Sequence, residues 1–137
     1  MNYKDIIEFI TANPVCTIAT ADKNQPHVRA FLTNIIDDKI YFTTSLNKNV
    51  GKQIKQNQKS ELCYLSSDFS TMLRVTTTLD ILEDQKIKQY LIDNREYLKH
   101  FNVNDPSFIL FSLSNSEATF WKLEDNLKEE ELEKIEF

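Results

Sequence analysis

A chain of 137 residues with 41% hydrophobic and 27% charged side chains is sized for one globular domain that buries a core without staples. Its single glycine argues against the Gly-rich loops of dinucleotide and triphosphate sites, and neither a G-x-G-x-x-G nor a Walker A pattern occurs. The net charge of −5 lies in residues 124–137, which hold seven acidic and two basic side chains, so the rest of the chain is balanced and matches a nucleic-acid binder poorly.

Residues 3–12 place Ile6, Ile7, Phe9 and Ile10 at helical spacing, and Asn13-Pro14 ends that helix. The β-branched run 15–21 stops at the turn cluster Asp22-Lys23-Asn24; residues 26–36 read as a second strand and 40–45 as a third, across a tight Asp37-Asp38-Lys39 connection. Short polar turns between three strands predict an antiparallel meander, which sets strand 26–36 beside strand 40–45. Asn47 is positioned to cap a helix running to about Asn57. A strand over 61–66 follows, then a long one over 72–82 with Leu73, Val75, Thr77, Leu79 and Ile81 on one face. A helix is expected over 84–93, a loop or a turn of helix over 94–106, and a closing hairpin from 108–114 and 117–123. The chain thus divides into a body, 1–123, and an acidic tail, 124–137, with helical propensity but a thin apolar face, expected to be a solvated helix or a disordered end. Six or seven strands with three inserted helices and no β-α-β repeat predict a mainly β domain whose antiparallel sheet closes into a small barrel.

Cys16 and Cys63 sit in apolar strands and read as free buried thiols. The N-terminus has an early acid and no long apolar stretch, so a cytoplasmic protein with no membrane association is expected. His27 and His100 stand alone, without a second ligand at metal-binding spacing. No serine sits in a nucleophile elbow.

Chemistry concentrates in IYFTTSLNKNVGKQIKQNQK, residues 40–59. A strand ending in the hydroxyls of Thr43, Thr44 and Ser45 leads into a helix whose first turn carries unpaired amides, a partial positive charge and Lys48; that combination is an anion site. Lys52, Lys55 and Lys59 continue the stripe, the last two as a solvated basic face. Arg29, inside the apolar strand HVRAFLTN, needs an anionic or polar partner if it is buried and is placed to share an anion with the Lys48 turn.

These pieces, taken in order, resemble the pyridoxamine 5′-phosphate oxidase-like family of FMN-binding split barrels, including its small general-stress-protein and nitroimidazole-reductase-like members. The resemblance rests on PVCTIATADKNQPHVRAF, KIYFTTSLNKNVGKQIKQN and LRVTTTLDIL and covers about residues 3–122. It implies a Greek-key split barrel that binds FMN at a homodimer interface and acts as an oxidoreductase on a small-molecule substrate or electron donor. Deazaflavin F420, haem, or a non-catalytic flavin- or haem-binding module on the same fold are the rival expectations. By the same resemblance the strand Arg29, Ala30, Phe31 and Leu32 lines the flavin ring, Thr43 and Thr44 meet the ribityl chain and phosphate, and Lys48 grips the phosphate. Asn49 stands where the oxidase proper often has a second basic residue, with Lys52 or Gln53 to compensate. Trp121 reads either as an aromatic supplied across the dimer toward the flavin or as a core or interface tryptophan. Ala30 stands where relatives often carry proline, and the oxidase's C-terminal Arg/His substrate motif is absent.

Overall fold

Period-two alternation along the strands and helical stripes between them organise the whole chain. The computed structural model describes all 137 residues. Helix α1 (Tyr3–Ala12) turns Ile6, Ile7 and Ile10 into the core and starts with a reciprocal cap: the Asn2 side chain accepts from the Asp5 N–H, and the Asp5 carboxylate accepts from the Asn2 N–H. Strands β1 (Val15–Asp22) and β2 (Gln25–Leu32) pair along their full length. Next come β3 (Asn34–Ile36) and β4 (Lys39–Ser45), joined through Asp37 and Asp38, both at positive φ as in the hairpin turns that match strand twist. Helix α2 (Asn49–Gln56), β5 (Lys59–Leu65), β6 (Thr71–Leu82), α3 (Gln85–Asn94), a 3-10 turn over Glu96–Leu98, β7 (Phe108–Lys122) and a short β8 (Ile135–Glu136) complete the order. No helix is long and apolar enough to cross a membrane.

All pairings are antiparallel, in the order β2-β1-β5-β6-β7-β4-β3, with β8 added to β7. The two ends of that order, β2 and β3, are consecutive in the chain and separated by Thr33 alone. Two Cα–Cα steps of about 3.8 Å cannot span an open sheet of seven strands, so the sheet must curl until its ends meet. It does so around Ile18, Phe42, Tyr64, Leu73 and Phe111, all fully buried. Phe42 and Phe111 stack at 5.3 Å, and Phe31 from β2 packs edge-on against both at 6.0 and 5.9 Å. Side chains, not backbone hydrogen bonds, therefore bridge the seam between β2 and β4. The result is a mainly antiparallel split barrel.

Four expectations need correction. Strand 26–36 is two strands, because Thr33 turns the chain at the corner: its N–H bonds the Pro14 carbonyl at 2.8 Å and its hydroxyl lies 2.8 Å from the Tyr64 hydroxyl. Only residues 34–36 then lie beside 39–41. The hairpin expected from 108–114 and 117–123 is one continuous strand, β7. Ser114-Asn115-Ser116 reads as a turn, but the register shift opposite Thr76–Thr78 absorbs it, with Thr77 Oγ1 2.7 Å from Ser116 Oγ and 3.1 Å from the Ser114 carbonyl. The tail is neither a free helix nor a loose end. It makes two short 3-10 turns and then β8, exchanging backbone hydrogen bonds between Phe137 and Ser116 while Ile135 enters the core and Phe137 meets the Tyr3 ring at 5.1 Å. The fourth correction concerns the cap of α2 and is taken up below.

Cys16 points into the barrel and Cys63 opposes Thr17 on the other face, so both thiols are free; burial pushes the Cys16 thiol up to about 11.

Ile135→Ala should cost about 2 kcal/mol or more by the loss of a core side chain, whereas Leu127→Ala, 97% exposed on the same tail, should be neutral. Urea denaturation of both variants checks this, and equal midpoints would refute the docking of β8.

Candidate functional site

The seam that closes the barrel is also where it stays open. On its free side β2 pairs with no other strand, and facing it across the seam are the end of β4 and the start of α2. Between them lies a cavity of about 600 Å³, within the range of small-molecule sites. Arg29–Leu32 form one wall, Thr43–Ser45 and Lys48–Val50 the second, and Tyr97, Leu98, Phe101 and Phe108 the third.

The end of the cavity at the β4–α2 junction is built by close approach. The position where a Gly51 Cβ would stand is 2.1 Å from the Ser45 carbonyl oxygen, so only glycine lets α2 begin directly on the end of β4. Asn47 was the expected cap. Instead its own N–H is taken by the Ser45 hydroxyl at 3.1 Å, the helix starts one residue later, and the cap position falls to Lys48, whose side chain cannot accept a hydrogen bond. The first-turn amides therefore remain uncapped beside a lysine that makes no ion pair. Next to them is Thr44, 7% exposed, whose Oγ1 is the one fully buried side-chain oxygen without a hydrogen-bond partner. An orphaned buried hydroxyl is costly.

Eight of the expected site residues, Arg29, Ala30, Phe31, Leu32, Thr43, Thr44, Lys48 and Asn49, line this one cavity. Three do not. Lys52 is exposed on the solvent side of α2. Gln53 is buried behind the wall, where its Oε1 accepts from Thr20 Oγ1 at 2.6 Å and from Arg29 Nη2 at 2.8 Å. Trp121 is on the barrel's outer face, with its ring 6.4 Å from Phe69. Arg29 also donates to Thr20 Oγ1 at 2.6 Å, so its guanidinium ties β2 to β1 and α2. Burial lowers its pKa from the ordinary value. The third wall was missed because 94–106 read as a polar loop or turn of helix; the available signal was two aromatic residues, Tyr97 and Phe101, in a largely polar stretch.

The family model described as pyridoxamine 5′-phosphate oxidase matches residues 4–122. The chain belongs to the pyridoxamine 5′-phosphate oxidase family. Solved structures share its fold at low identity. A NimC/NimA family protein from Clostridium acetobutylicum is 23% identical, with TM-score 0.81 over 98% of this chain and 93% of that one. General Stress Protein 26 from Bacillus anthracis is 15% identical, with TM-score 0.75 over 98% of both chains. A pyridoxamine 5′-phosphate oxidase-related, FMN-binding protein from Nostoc punctiforme is 17% identical, with TM-score 0.63 over 88% of this chain and 83% of that one. None of the curated proteins compared with the chain matches it. The matched span of the oxidase family runs from α1 to the end of β7, so it takes in every wall of the cavity and leaves out the tail.

Thr44→Val removes the orphaned hydroxyl at nearly constant shape and should stabilise the ligand-free protein by about 1 kcal/mol or more. Gly51→Ala forces backbone apart and should destabilise it by about 1–3 kcal/mol. Thermal unfolding of the two ligand-free variants should shift the midpoint in opposite directions; a loss of stability in Thr44→Val would show the hydroxyl to be satisfied already.

Proposed function

We propose that the seam cavity holds FMN and that the protein is an oxidoreductase working as a homodimer. The observation that carries this reading is the unpartnered Thr44 hydroxyl beside Lys48 and the uncapped start of α2. Free amides and a free ammonium beside a hydroxyl-rich strand end suit a phosphate dianion. The apolar wall and the free backbone edge of β2 then suit a planar ring with polar margins. Membership of the oxidase family and the shared fold of an FMN-binding protein support the same choice.

When bound, FMN supplies the hydride or electron transfer, which fits a cavity lined by no histidine, cysteine or carboxylate. The chain's own residues do the holding. Lys48 neutralises phosphate charge, Thr44 donates to a phosphate oxygen, and Arg29 with Gln53 and Thr20 fixes the distance between β2 and α2. Main-chain groups along Ala30–Leu32 meet the ring margin.

The outer face of the same edge supports the homodimer. Val28 is 67% exposed and Leu32 42%, and Val15, paired with Leu32, is also exposed. Strand parity puts Leu65, Met72 and Trp121 on this same side. Leu32 belongs to both this face and the cavity, so a second copy seated here also closes the flavin site. Trp121, remote from its own cavity, then approaches the partner's.

Protein purified without added cofactor should be yellow, and mass spectrometry of the released ligand should give FMN. Lys48→Glu should weaken FMN binding about a hundredfold, the worth of a charge-assisted contact turned repulsive. Colourless protein that takes up no FMN would refute the flavin. Val28→Asp with Leu32→Glu should convert the dimer to monomer in sedimentation; an unchanged mass would refute the interface.

A further inference from the structure

The third wall of the cavity stands on a segment with little regular structure of its own. Helix α3 ends at Asn94, and from there to Phe108 the chain makes the 3-10 turn over Glu96–Leu98 and single turns beyond it. No strand ladder ties this segment to the barrel. On its apolar side Leu98 is buried and the Phe101 ring stacks on Phe108 at 4.8 Å. On its polar side two contacts converge on one side chain, that of Asn34.

Asn34 follows directly on Thr33, the crossing that closes the sheet, and is 2% exposed. Its backbone is set in the β3–β4 ladder opposite Tyr41. Its Oδ1 accepts from Arg95 Nε at 2.8 Å, and its Nδ2 donates to the Tyr97 hydroxyl at 3.0 Å. Arginine can only donate, so the Arg95 contact fixes which way the amide faces and makes the Tyr97 oxygen the acceptor. One buried amide thus grips both residues that flank Glu96, 61 and 63 positions along the chain. Tyr97 lines the cavity and is 49% exposed, so its ring has freedom to lose when it is held. Small-molecule sites bury most of their ligand, and a flavin held here lies against the third wall as well as the other two. A wall already fixed in place lowers the ordering cost of binding.

We infer that Asn34 is a positioning residue of the cofactor site: by holding Arg95 and Tyr97 it sets the third wall against the cavity and governs how long the flavin stays bound. This rests on the flavin reading. Asn34 does not itself line the cavity, and it acts through the Tyr97 ring. The crossing that closes the barrel and the wall that retains the ligand are thereby joined through adjacent residues, Thr33 and Asn34.

The test uses FMN-loaded protein, diluted so that the appearance of free flavin fluorescence reports the release rate. Asn34→Leu, close in size and without polar atoms, should speed release about tenfold, in line with the two hydrogen bonds lost. Asn34→Asp should stay within about threefold of the wild-type rate, because one carboxylate oxygen accepts from Arg95 and the other from the Tyr97 hydroxyl, which then donates. Tyr97→Phe should add nothing to Asn34→Leu, since both act through one ring. Ile135→Ala, which lowers stability without touching the cavity, should leave release unchanged. Asn34→Ser, too short to reach both partners, replaces the leucine variant if that one does not fold. Wild-type protein that takes up no FMN removes the flavin reading and this inference together. FMN-loaded protein removes this inference alone if Asn34→Leu releases FMN at the wild-type rate, if Asn34→Asp fails to restore that rate, if Tyr97→Phe adds to the effect, or if Ile135→Ala matches it.

Discussion

The structure depends on one short crossing. Thr33 alone links the strand at one end of the sheet to the strand at the other, and this obliges the sheet to curl until its ends face each other. Everything else at the seam follows. No backbone ladder joins β2 to β4, and Phe31 packs against Phe42 and Phe111 instead. What those rings leave unfilled is a cavity bounded by a free strand edge, a strand terminus and a helix start. Thr33 is buried for the same reason: at the corner its N–H and hydroxyl must find partners inside, and they find Pro14 and Tyr64.

Beyond the seam the molecule divides its polar groups into satisfied and unsatisfied sets. Thr20, Arg29 and Gln53 satisfy one another and lock three elements together. Thr77, Ser114 and Ser116 do the same for the irregular stretch of β7. Against that background a single buried hydroxyl without a partner, at Thr44, is informative. It lies beside a glycine-enabled contact and an uncapped helix start, at the wall of the seam cavity.

Most of the strand and helix pattern was legible because alternation along 72–82 and helical spacing in 3–12 are local properties. So was the gathering of Thr43, Thr44, Ser45 and Lys48 at one end of the cavity, because hydroxyls, a turn and a lysine are neighbours in sequence. The parts that were not legible depend on distant partners. Ser114-Asn115-Ser116 has turn chemistry, and distant partners, Thr77 on β6 and Phe137 on the tail, keep it within one strand. Ile135 looks like one apolar residue in an acidic tail until the free edge of β7 is in place. Gln53, read with Lys52 as compensating for Asn49, instead faces inward, where Thr20 and Arg29 from β1 and β2 hold its side chain. Tyr97 and Phe101 become a wall only when β7 brings Phe108 underneath them.

The chain's only glycine is placed where a side chain would collide with backbone, and its φ is ordinary. The left-handed positions are filled by other residues: Lys23, Asp37, Asp38, Phe69, Asn115 and Leu127. Each holds a conformation that is about 1–2 kcal/mol above the right-handed one for an ordinary L-residue, less for asparagine and aspartate. This barrel thus carries conformational tension in its turns that glycine would relax, away from the cavity. The turns at Lys23 and Asp38 are consequently where durability can be added by engineering without disturbing ligand chemistry.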